Sequence, residues 1–313
     1  TGKYEAPPLE VQVVASLYKT PHDFLANGFP KVALRQMQQA PQWIHRRNES
    51  RQMPLHIAAR FRHLEAAKWL LDNGADFNAR GYNGFTPLHF ASDPEVAKLI
   101  LKYKPDLSIA SQSQGRTPLQ NAVEEISGAR SDETRANGKQ IAALFLAAGA
   151  EYDLPTAIEL NDLEQVKKLY ASGQTHVDDS YDIRSPLRRA AASGHAEICE
   201  YLIKQHNIDV DQFEEGSGYP IIKNALHHPQ VVKVLINNGA DLNTRITWRG
   251  NGGVRIIGNE ATALHYAADH GVPETVTLLI DAGVDVFANT KGSSFRGRHE
   301  QAAPDVAANF AMA

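Results

Sequence analysis

The chain has 313 residues, of which 42% are hydrophobic and 22% charged, and 32 basic against 36 acidic side chains leave a net charge of −4. This balance excludes a largely disordered chain and argues against nucleic-acid binding, and no apolar run is long enough for a membrane span. The single cysteine, Cys199, excludes an internal disulfide framework, so we expect a cytoplasmic protein, with an exported or periplasmic one left open.

The first element predicted along the chain is a helix over 9–18, and we assign residues 1–20 to an N-terminal capping helix. Residues 21–46 follow with two short apolar stripes, and a repeated motif begins after them. The motif reads MPLHIAA at 53–59, TPLHFAS at 86–92, TPLQNA at 117–122, SPLRRAA at 185–191 and TALHYAA at 262–268, with a degenerate YPII at 219–222. Internal repetition of this kind predicts an array of similar units instead of the two or three domains that length alone suggests.

Each motif predicts a short helix followed by a second one. Thr or Ser caps the first helix, Pro is tolerated in its first turn, and paired Ala residues let a second helix approach closely. The second helix carries an apolar stripe, as in AAKWLLDNGAD at 66–76. Gly74, Gly149, Gly239 and Gly283 stand where a left-handed helix end is wanted. One such unit is too small to bury its own apolar face and must stack on its neighbours.

These tandem motifs resemble the ankyrin-repeat family, with its 33-residue period, over roughly residues 21 to 310. The resemblance implies an all-α fold: an ankyrin-repeat solenoid of paired antiparallel helices with β-hairpin fingers, some of them elongated. It also implies a concave surface of finger tips and first helices that binds other proteins. We therefore expect residues 21–313 to form a single solenoid of about nine units, including divergent units at 21–46 and 154–178 and a truncated unit after 302.

Three insertions interrupt the period, at 124–138, 245–260 and 290–300. The first is polar and predicts either an exposed loop or extra helical turns. The second reads as an elongated hairpin, and its three Arg against one Glu, together with the basic third insertion, make the C-terminal fingers basic. Residues 1–60 are also basic, with eight Lys or Arg against four Asp or Glu. We expect an electrostatic partner at the ends of the solenoid, although neutral loop tolerance also explains the insertions.

In ankyrin repeats, recognition residues flank the structural motif, and the resemblance carries this role to matching positions of this chain. The residues nominated on that basis are Glu49, Gln52, Arg60, Phe61, Tyr82, Asn83, Phe85, Gln114, Arg116, Tyr181, Asp182, Arg184, Ser193, Asn259, Asp269 and His270. Aromatic and Arg side chains are frequent interface anchors, although any one aromatic side chain could instead pack between fingers. On the basic fingers, Trp248, Arg249, Arg255 and Arg296 are expected to hold an acidic segment of the partner.

The chain carries no recognisable catalytic motif: the nucleophile elbow, the P-loop, the zinc pair HExxH and the dinucleotide glycine fingerprint are all absent. We therefore expect neither an enzyme nor a cofactor. The resemblance implies that His56, His89 and His265 form hydrogen bonds between adjoining fingers, and their wide spacing argues against a metal site. Cys199 lies within an apolar helix and is expected to be buried filler.

The function expected from this pattern is a non-catalytic protein–protein interaction scaffold, monomeric, that binds a partner protein or peptide and neither nucleic acid nor membrane. An alternative is the regulatory or targeting module of a larger protein or of an exported effector, since the chain begins at Thr1 and leaves a removed leader open. An enzyme with a loop-borne active site is a further alternative, which an acid–base or metal cluster in a deep pocket would favour.

Overall fold

A computed structural model of the protein describes residues 18–129, 131–174, 185–211, 220–244 and 261–288. Its contacts divide the chain into two compact units, Thr1–Tyr152 and Asp153–Ala313, which we call the N-terminal unit and the C-terminal unit. The predicted capping helix lies almost wholly outside the described residues, and so do the insertions at 245–260 and 290–300 and the truncated last repeat. The single solenoid over 21–313 therefore stays a prediction.

The described residues are helical and form no β-strand, apart from isolated bridge positions at Pro220 and Ala261, and this confirms the all-α class. The helices of the N-terminal unit are α1 (Pro21–Ala26), α2 (Pro30–Gln39), α3 (Pro54–Arg60), α4 (Leu64–Asp72), α5 (Pro94–Leu101), α6 (Pro118–Ser127) and α7 (Asp132–Ala147), with short 3₁₀ helices at Pro41–His45, Tyr82–Gly84 and Pro87–Phe90. Those of the C-terminal unit are α8 (Leu154–Glu159), α9 (Leu163–Ala171), α10 (Pro186–Ala192), α11 (Ala196–His206), α12 (Ile221–Asn224), α13 (Pro229–Asn237), α14 (Ala263–Asp269) and α15 (Pro273–Asp281).

Within each unit the helices pair and the pairs stack. In the N-terminal unit, the 3₁₀ helix Pro87–Phe90 takes the place of the first helix of its pair; it contacts α3 on one side and α6 on the other. The second helices form a parallel layer, in which α4 contacts α5 and α5 contacts α7. The C-terminal unit repeats this order, with α8, α10, α12 and α14 in one layer and α9, α11, α13 and α15 in the other. Within each unit, a first helix thus lies against the first helix of the next repeat.

Local residue chemistry explains where these helices begin and end. The hydroxyl of Thr117 accepts a hydrogen bond from the backbone N–H of Gln120 at 3.4 Å, and Ser185 caps α10 in the same way at 3.3 Å. At the other end of the pairs, Gly74 and Gly239 adopt φ values of +84° and +87°, which glycine reaches without strain. The predicted caps and turns at these positions are confirmed.

Small side chains let the two layers approach each other. The paired alanines of the motif, Ala58 and Ala59, are completely buried, and so are Ala66 and Ala67 on the facing helix. Larger apolar side chains fill the space beside them, among them Leu70 at 0% exposure. Because interiors pack at crystal-like density, an enlarged residue at the alanine positions would push the helix pair apart.

The insertion at 124–138 forms extra helical turns and not a loop. It lengthens α6 to 10 residues and α7 to 16 residues and leaves only a short connection between them. The two helices cross closely at Gly138, which is buried in α7, since a Cβ atom there would lie 2.7 Å from the side chain of Ile126. Of the two alternatives expected from the sequence, the structure therefore shows the extra helical turns, and Gly138 is a packing residue.

The fingers between repeats are tight hydrogen-bonded turns in the described residues. The N–H of Gly81 donates to the carbonyl of Phe85 at 2.7 Å. Successive fingers are joined directly, because the N–H of Gln112 donates to the carbonyl of Asn83 at 2.7 Å. Gly84 is needed at this junction: its φ is +74°, and a Cβ atom would lie 2.8 Å from the Gln112 side chain.

His56 and His89 form hydrogen bonds to the adjoining finger, as expected from the resemblance. The Nδ1 atom of His56 accepts the Met53 N–H at 3.2 Å, which leaves the proton on Nε2 to be donated to the carbonyls of Ala79 at 3.0 Å and Phe85 at 3.1 Å. Burial is the main reason that the pKa of His56 falls to about 4, and its backbone bonds only partly oppose the shift.

This shift predicts that acid destabilises the fold through His56. The folded pKa of about 4 lies below the unfolded value near 6.5, so the stabilising contribution is complete above pH 6.5 and is lost as the pH falls toward 4. Between pH 7 and pH 5 the free energy of unfolding should drop by about 2 kcal/mol through this group alone. Urea unfolding followed by circular dichroism at the two pH values measures the drop.

The matched variant is His56→Gln, because Gln120 fills the same slot in another repeat and accepts the Thr117 N–H at 2.9 Å. This variant should lose less stability than the wild type between pH 7 and pH 5. An exposed control, His45→Gln, should keep the wild-type pH dependence. An unchanged slope in His56→Gln would show that the acid sensitivity arises elsewhere.

Candidate functional site

An aromatic and cationic cluster joins the end of α3 to the 3₁₀ helix Pro87–Phe90 of the next repeat. The guanidinium of Arg60 lies 5.7 Å from the ring centroid of Phe61 and 5.9 Å from that of Phe90. Phe90 in turn meets the ring of Phe85 edge to face at 5.4 Å. Three residues nominated from the sequence, Arg60, Phe61 and Phe85, therefore converge on one surface, and such cation–aromatic contacts contribute about 0.5–1 kcal/mol each at exposed sites.

Two aromatic side chains, one in this cluster and one at the tip of the following finger, are exposed to solvent. Phe61 is 42% exposed and Tyr82, at the finger tip, is 57% exposed. The tip is held by Asn83, which adopts a left-handed φ of +54°, and by the bond from Gln112 to its carbonyl. Phe85 is less exposed because its ring lies against His89 at 5.2 Å. Exposed aromatic side chains on an ordered backbone are the usual anchors of protein interfaces.

Charged side chains border the cluster. Arg62 pairs with Glu133 at 3.3 Å, and Arg116 pairs with Glu124 at 3.6 Å. Glu125 is an exposed residue whose carboxyl group is nevertheless partly desolvated, which raises its pKa, while Arg60 opposes the shift. The pair of Arg62 and Glu133 is exposed and therefore adds little stability, whereas the Arg116 side chain is half-buried.

In the C-terminal unit, the nominated Ser193 is engaged in a buried polar network. Its hydroxyl donates to Glu159 at 2.8 Å, and the same carboxylate receives Arg189 at 2.9 Å. The side chains of Glu159 and Arg189 are only 4% and 11% exposed. Removing one member of a buried pair usually costs about 3–5 kcal/mol, so this network contributes to the fold whether or not a partner binds.

A second surface lies at the ends of α12 and α14. The nominated Asp269 and His270 are both exposed, and the ring of His270 lies 5.4 Å from that of His227 in the preceding repeat. Nearby, the ammonium of Lys223 lies 4.6 Å from the ring centroid of Tyr266. This arrangement resembles that around Arg60, with a cation over an aromatic ring on the first helices.

The remaining nominated residues fall into two groups. Glu49 is exposed at a turn, and Gln52 and Gln114 are half-buried in the fingers of the N-terminal unit. The others lie outside the described residues, namely Tyr181, Asp182, Arg184, Trp248, Arg249, Arg255, Asn259 and Arg296. Their role in partner binding stays a prediction.

Two features of the N-terminal unit were not predicted from the sequence. Phe90 was read only as part of the repeated motif, although its ring joins Arg60 to Phe85. Arg47 and Arg80 were not selected either, although the two are 33 residues apart, and that spacing at the repeat period was the signal available in the sequence. The guanidinium of Arg47 donates to the carbonyl of Arg80.

The described residues hold no group of three or more His, Cys, Asp or Glu side chains that could bind a metal ion. Over the same part of the chain, none of the helices combines the length and the apolar character that crossing a bilayer requires. Cys199 is completely buried, and burial raises the pKa of its thiol to about 12, so the thiolate that a nucleophile requires is strongly disfavoured at neutral pH.

Comparison with known proteins gives the family. Models of ankyrin repeats match residues 55–93, 154–246 (three copies) and 259–291, together just over half of the chain. The chain belongs to the ankyrin-repeat family. Ankyrin repeats form a general protein–protein interaction fold and are typically non-catalytic.

Two curated relatives are named for the same repeats. A putative ankyrin repeat protein of Rickettsia felis is 25% identical over 63% of this chain and 53% of its own length. An ankyrin repeat-containing protein of Schizosaccharomyces pombe is 36% identical over 36% of this chain and 44% of its own length. The chain thus spans about half the length of these curated relatives. The crystal structure of the human ASB11 ankyrin repeat domain covers 83% of this chain and 97% of its own, at 22% identity and a TM-score of 0.41.

The burial of Cys199 predicts that its thiol reacts slowly in the folded protein. A thiol with a pKa of about 12 exposes almost no thiolate at pH 8, whereas an unfolded cysteine, with a pKa near 8.5, ionises readily. A disulfide reagent such as Ellman's reagent should therefore label the native chain slowly and the urea-unfolded chain within the mixing time. Equal rates in the two states would contradict the buried position.

Proposed function

We propose that the chain is a non-catalytic protein-interaction module whose partner binds across the finger turns and first helices of the N-terminal unit. The observation that carries this proposal is the convergence of Arg60, Phe61, Phe85 and Phe90, with the exposed Tyr82 three residues before Phe85 in the same finger. Interfaces are enriched in aromatic and Arg side chains, and a few such anchors carry most of the binding energy. Membership of a family that binds proteins supports the same function.

The surface is suited to binding because its backbone is already ordered by the stack. The carbonyl of Arg60 accepts the Ser92 hydroxyl of the next repeat at 2.9 Å, and the finger that holds Tyr82 is bonded to the following finger. A partner therefore meets side chains on a fixed frame, and little of the binding energy is lost to ordering the backbone.

A second candidate is that the chain acts as the targeting or regulatory module of a longer protein. The specific observation in its favour is that the chain spans about half the length of the curated relatives it matches. The same surface would then serve to bring the remainder of the protein to its partner. The basic C-terminal residues Arg249, Arg255 and Arg296 offer a further contact in either case, and that contact also stays a prediction.

The aromatic anchors give a direct test. The double variant Phe61→Ala, Tyr82→Ala should keep the wild-type melting temperature within a few degrees, because both side chains are substantially exposed. It should lose the proteins that the wild type captures from a lysate of the native host. With an identified partner, the dissociation constant should rise about thirtyfold or more, as expected for two anchor residues.

The control is Leu64→Ala, which removes a side chain that is also 42% exposed but lies at the start of the second helix α4. This variant should capture the same proteins as the wild type. If the aromatic double variant also captured them all, the partner would have to bind elsewhere, and the proposal for this surface would be rejected.

A further inference from the structure

Four arginines lie together along the finger edge of the N-terminal unit. Arg46, Arg47 and Arg51 belong to one turn, Arg80 belongs to the next finger, and all four are exposed. The stretch 46–51 holds one acidic residue, Glu49, against its three arginines. Arg46, Arg47 and Arg51 belong to residues 1–60, the N-terminal stretch that is basic in sequence.

Hydrogen bonds arrange two of these arginines as a ladder across successive fingers. Nη1 of Arg47 donates to the carbonyl of Arg51 at 3.0 Å and to the carbonyl of Arg80. One repeat later, Nη1 of Arg80 donates to the carbonyl of Ala110 at 3.4 Å. A guanidinium has five N–H donors, and these bonds use one nitrogen of each, so donors are left for a ligand.

None of the four arginines forms an ion pair with another described residue, although Arg80 contributes to the lowered pKa of Asp106, after the hydrogen bonds from Ser108. The ion pairs among the described residues of the N-terminal unit involve Arg62, Arg116 and Arg135 instead. The positive charges of Arg47 and Arg80 also affect buried histidines. Burial is the main cause of the lowered pKa of His56, and the charge of Arg47 lowers that pKa further. The pKa of His89 is lowered mainly by burial as well, with a further contribution from Arg80.

We propose that this arginine ladder, Arg47 and Arg80 with Arg46 and Arg51 beside them, binds an extended acidic peptide segment of the partner protein. The inference rests on the proposed function and names the chemistry of the partner. Guanidinium groups bind carboxylates through two parallel hydrogen bonds, and the unused donors of exposed arginines suit that geometry. Tyr82 lies two residues after Arg80, so the acidic segment would continue onto the aromatic surface.

The repeat sets the spacing of the acidic residues. Stacked helices lie about 8–10 Å apart, and an extended or polyproline-type chain advances about 3.1–3.4 Å per residue. Carboxylates three residues apart therefore match guanidinium groups on successive fingers. A nucleic acid is less suitable as the ligand. A long polyanion would extend beyond the arginines over residues 61–313, where acidic side chains outnumber basic ones by eight.

The test compares two labelled peptides of about 15 residues in fluorescence anisotropy with the full chain, one with Glu at every third position and one with Gln at those positions. The Glu peptide should bind at least about tenfold more tightly at low salt, and its affinity should fall as ionic strength rises from about 50 to 300 mM. In the variant Arg47→Gln, Arg80→Gln, this preference for Glu should disappear.

Two further variants keep the result interpretable. Lys68→Gln, Lys98→Gln removes the same charge from exposed positions on the second helices α4 and α5, and it should bind the Glu peptide as the wild type does. Arg46→Gln, Arg51→Gln removes two charges without breaking the bonds between fingers, and it should weaken binding even if the first variant fails to fold. Circular dichroism melts establish which variants are folded.

The proposal is overturned if both peptides bind equally, if the lysine control weakens binding as much as the folded arginine variants do, or if an oligothymidylate of equal charge binds more tightly than the Glu peptide. These outcomes are distinct from failure of the proposed function. If the Glu peptide does not bind but partner capture still depends on Phe61 and Tyr82, the interaction surface stands and the acidic partner segment is rejected.

Discussion

Within each unit of the described residues, every helix pair packs against a neighbouring pair that completes it. The apolar faces need a neighbour because a single repeat cannot enclose a core, and the polar ends need one as well. His63 donates to the carbonyl of Leu25 at 2.8 Å, Ser92 donates to that of Arg60 at 2.9 Å, and His195 makes the equivalent contact in the C-terminal unit at 3.3 Å. Since an unpaired buried carbonyl is costly, the stack satisfies bonds as well as burying surface.

The candidate interaction surface is a product of the same stacking. Arg60 ends one helix, yet its guanidinium lies over Phe90, which belongs to the next repeat. Tyr82 stands at a finger tip that the following finger holds through the carbonyl of Asn83. Side chains that no single repeat could bring together thus form one surface on an ordered backbone.

Charge is distributed along the chain in a way that the total of −4 conceals. In the N-terminal unit, Arg47 and Arg80 stabilise the fingers through hydrogen bonds to backbone carbonyls. Both side chains keep their positive charge at the surface. A carbonyl accepts the hydrogen bond without neutralising the charge, so the same side chain supports the finger and attracts an anion. The buried pair of Glu159 and Arg189 in the C-terminal unit shows the contrasting case, in which the charge is neutralised internally.

The sequence by itself determined the repeat period, the helix caps, the buried alanines and the glycine turns, because each depends on residues close together along the chain. Through the resemblance to ankyrin repeats, the sequence also predicted that His56 forms hydrogen bonds between adjoining fingers. Only the tertiary structure decided that the 124–138 insertion is helical, with Gly138 against Ile126, since both a loop and extra turns suited its composition. Likewise, the burial of Glu159 beside Ser193 and the meeting of Arg60 with Phe90 depend on side chains about 30 residues apart, whose distances are set by stacking and not by local sequence.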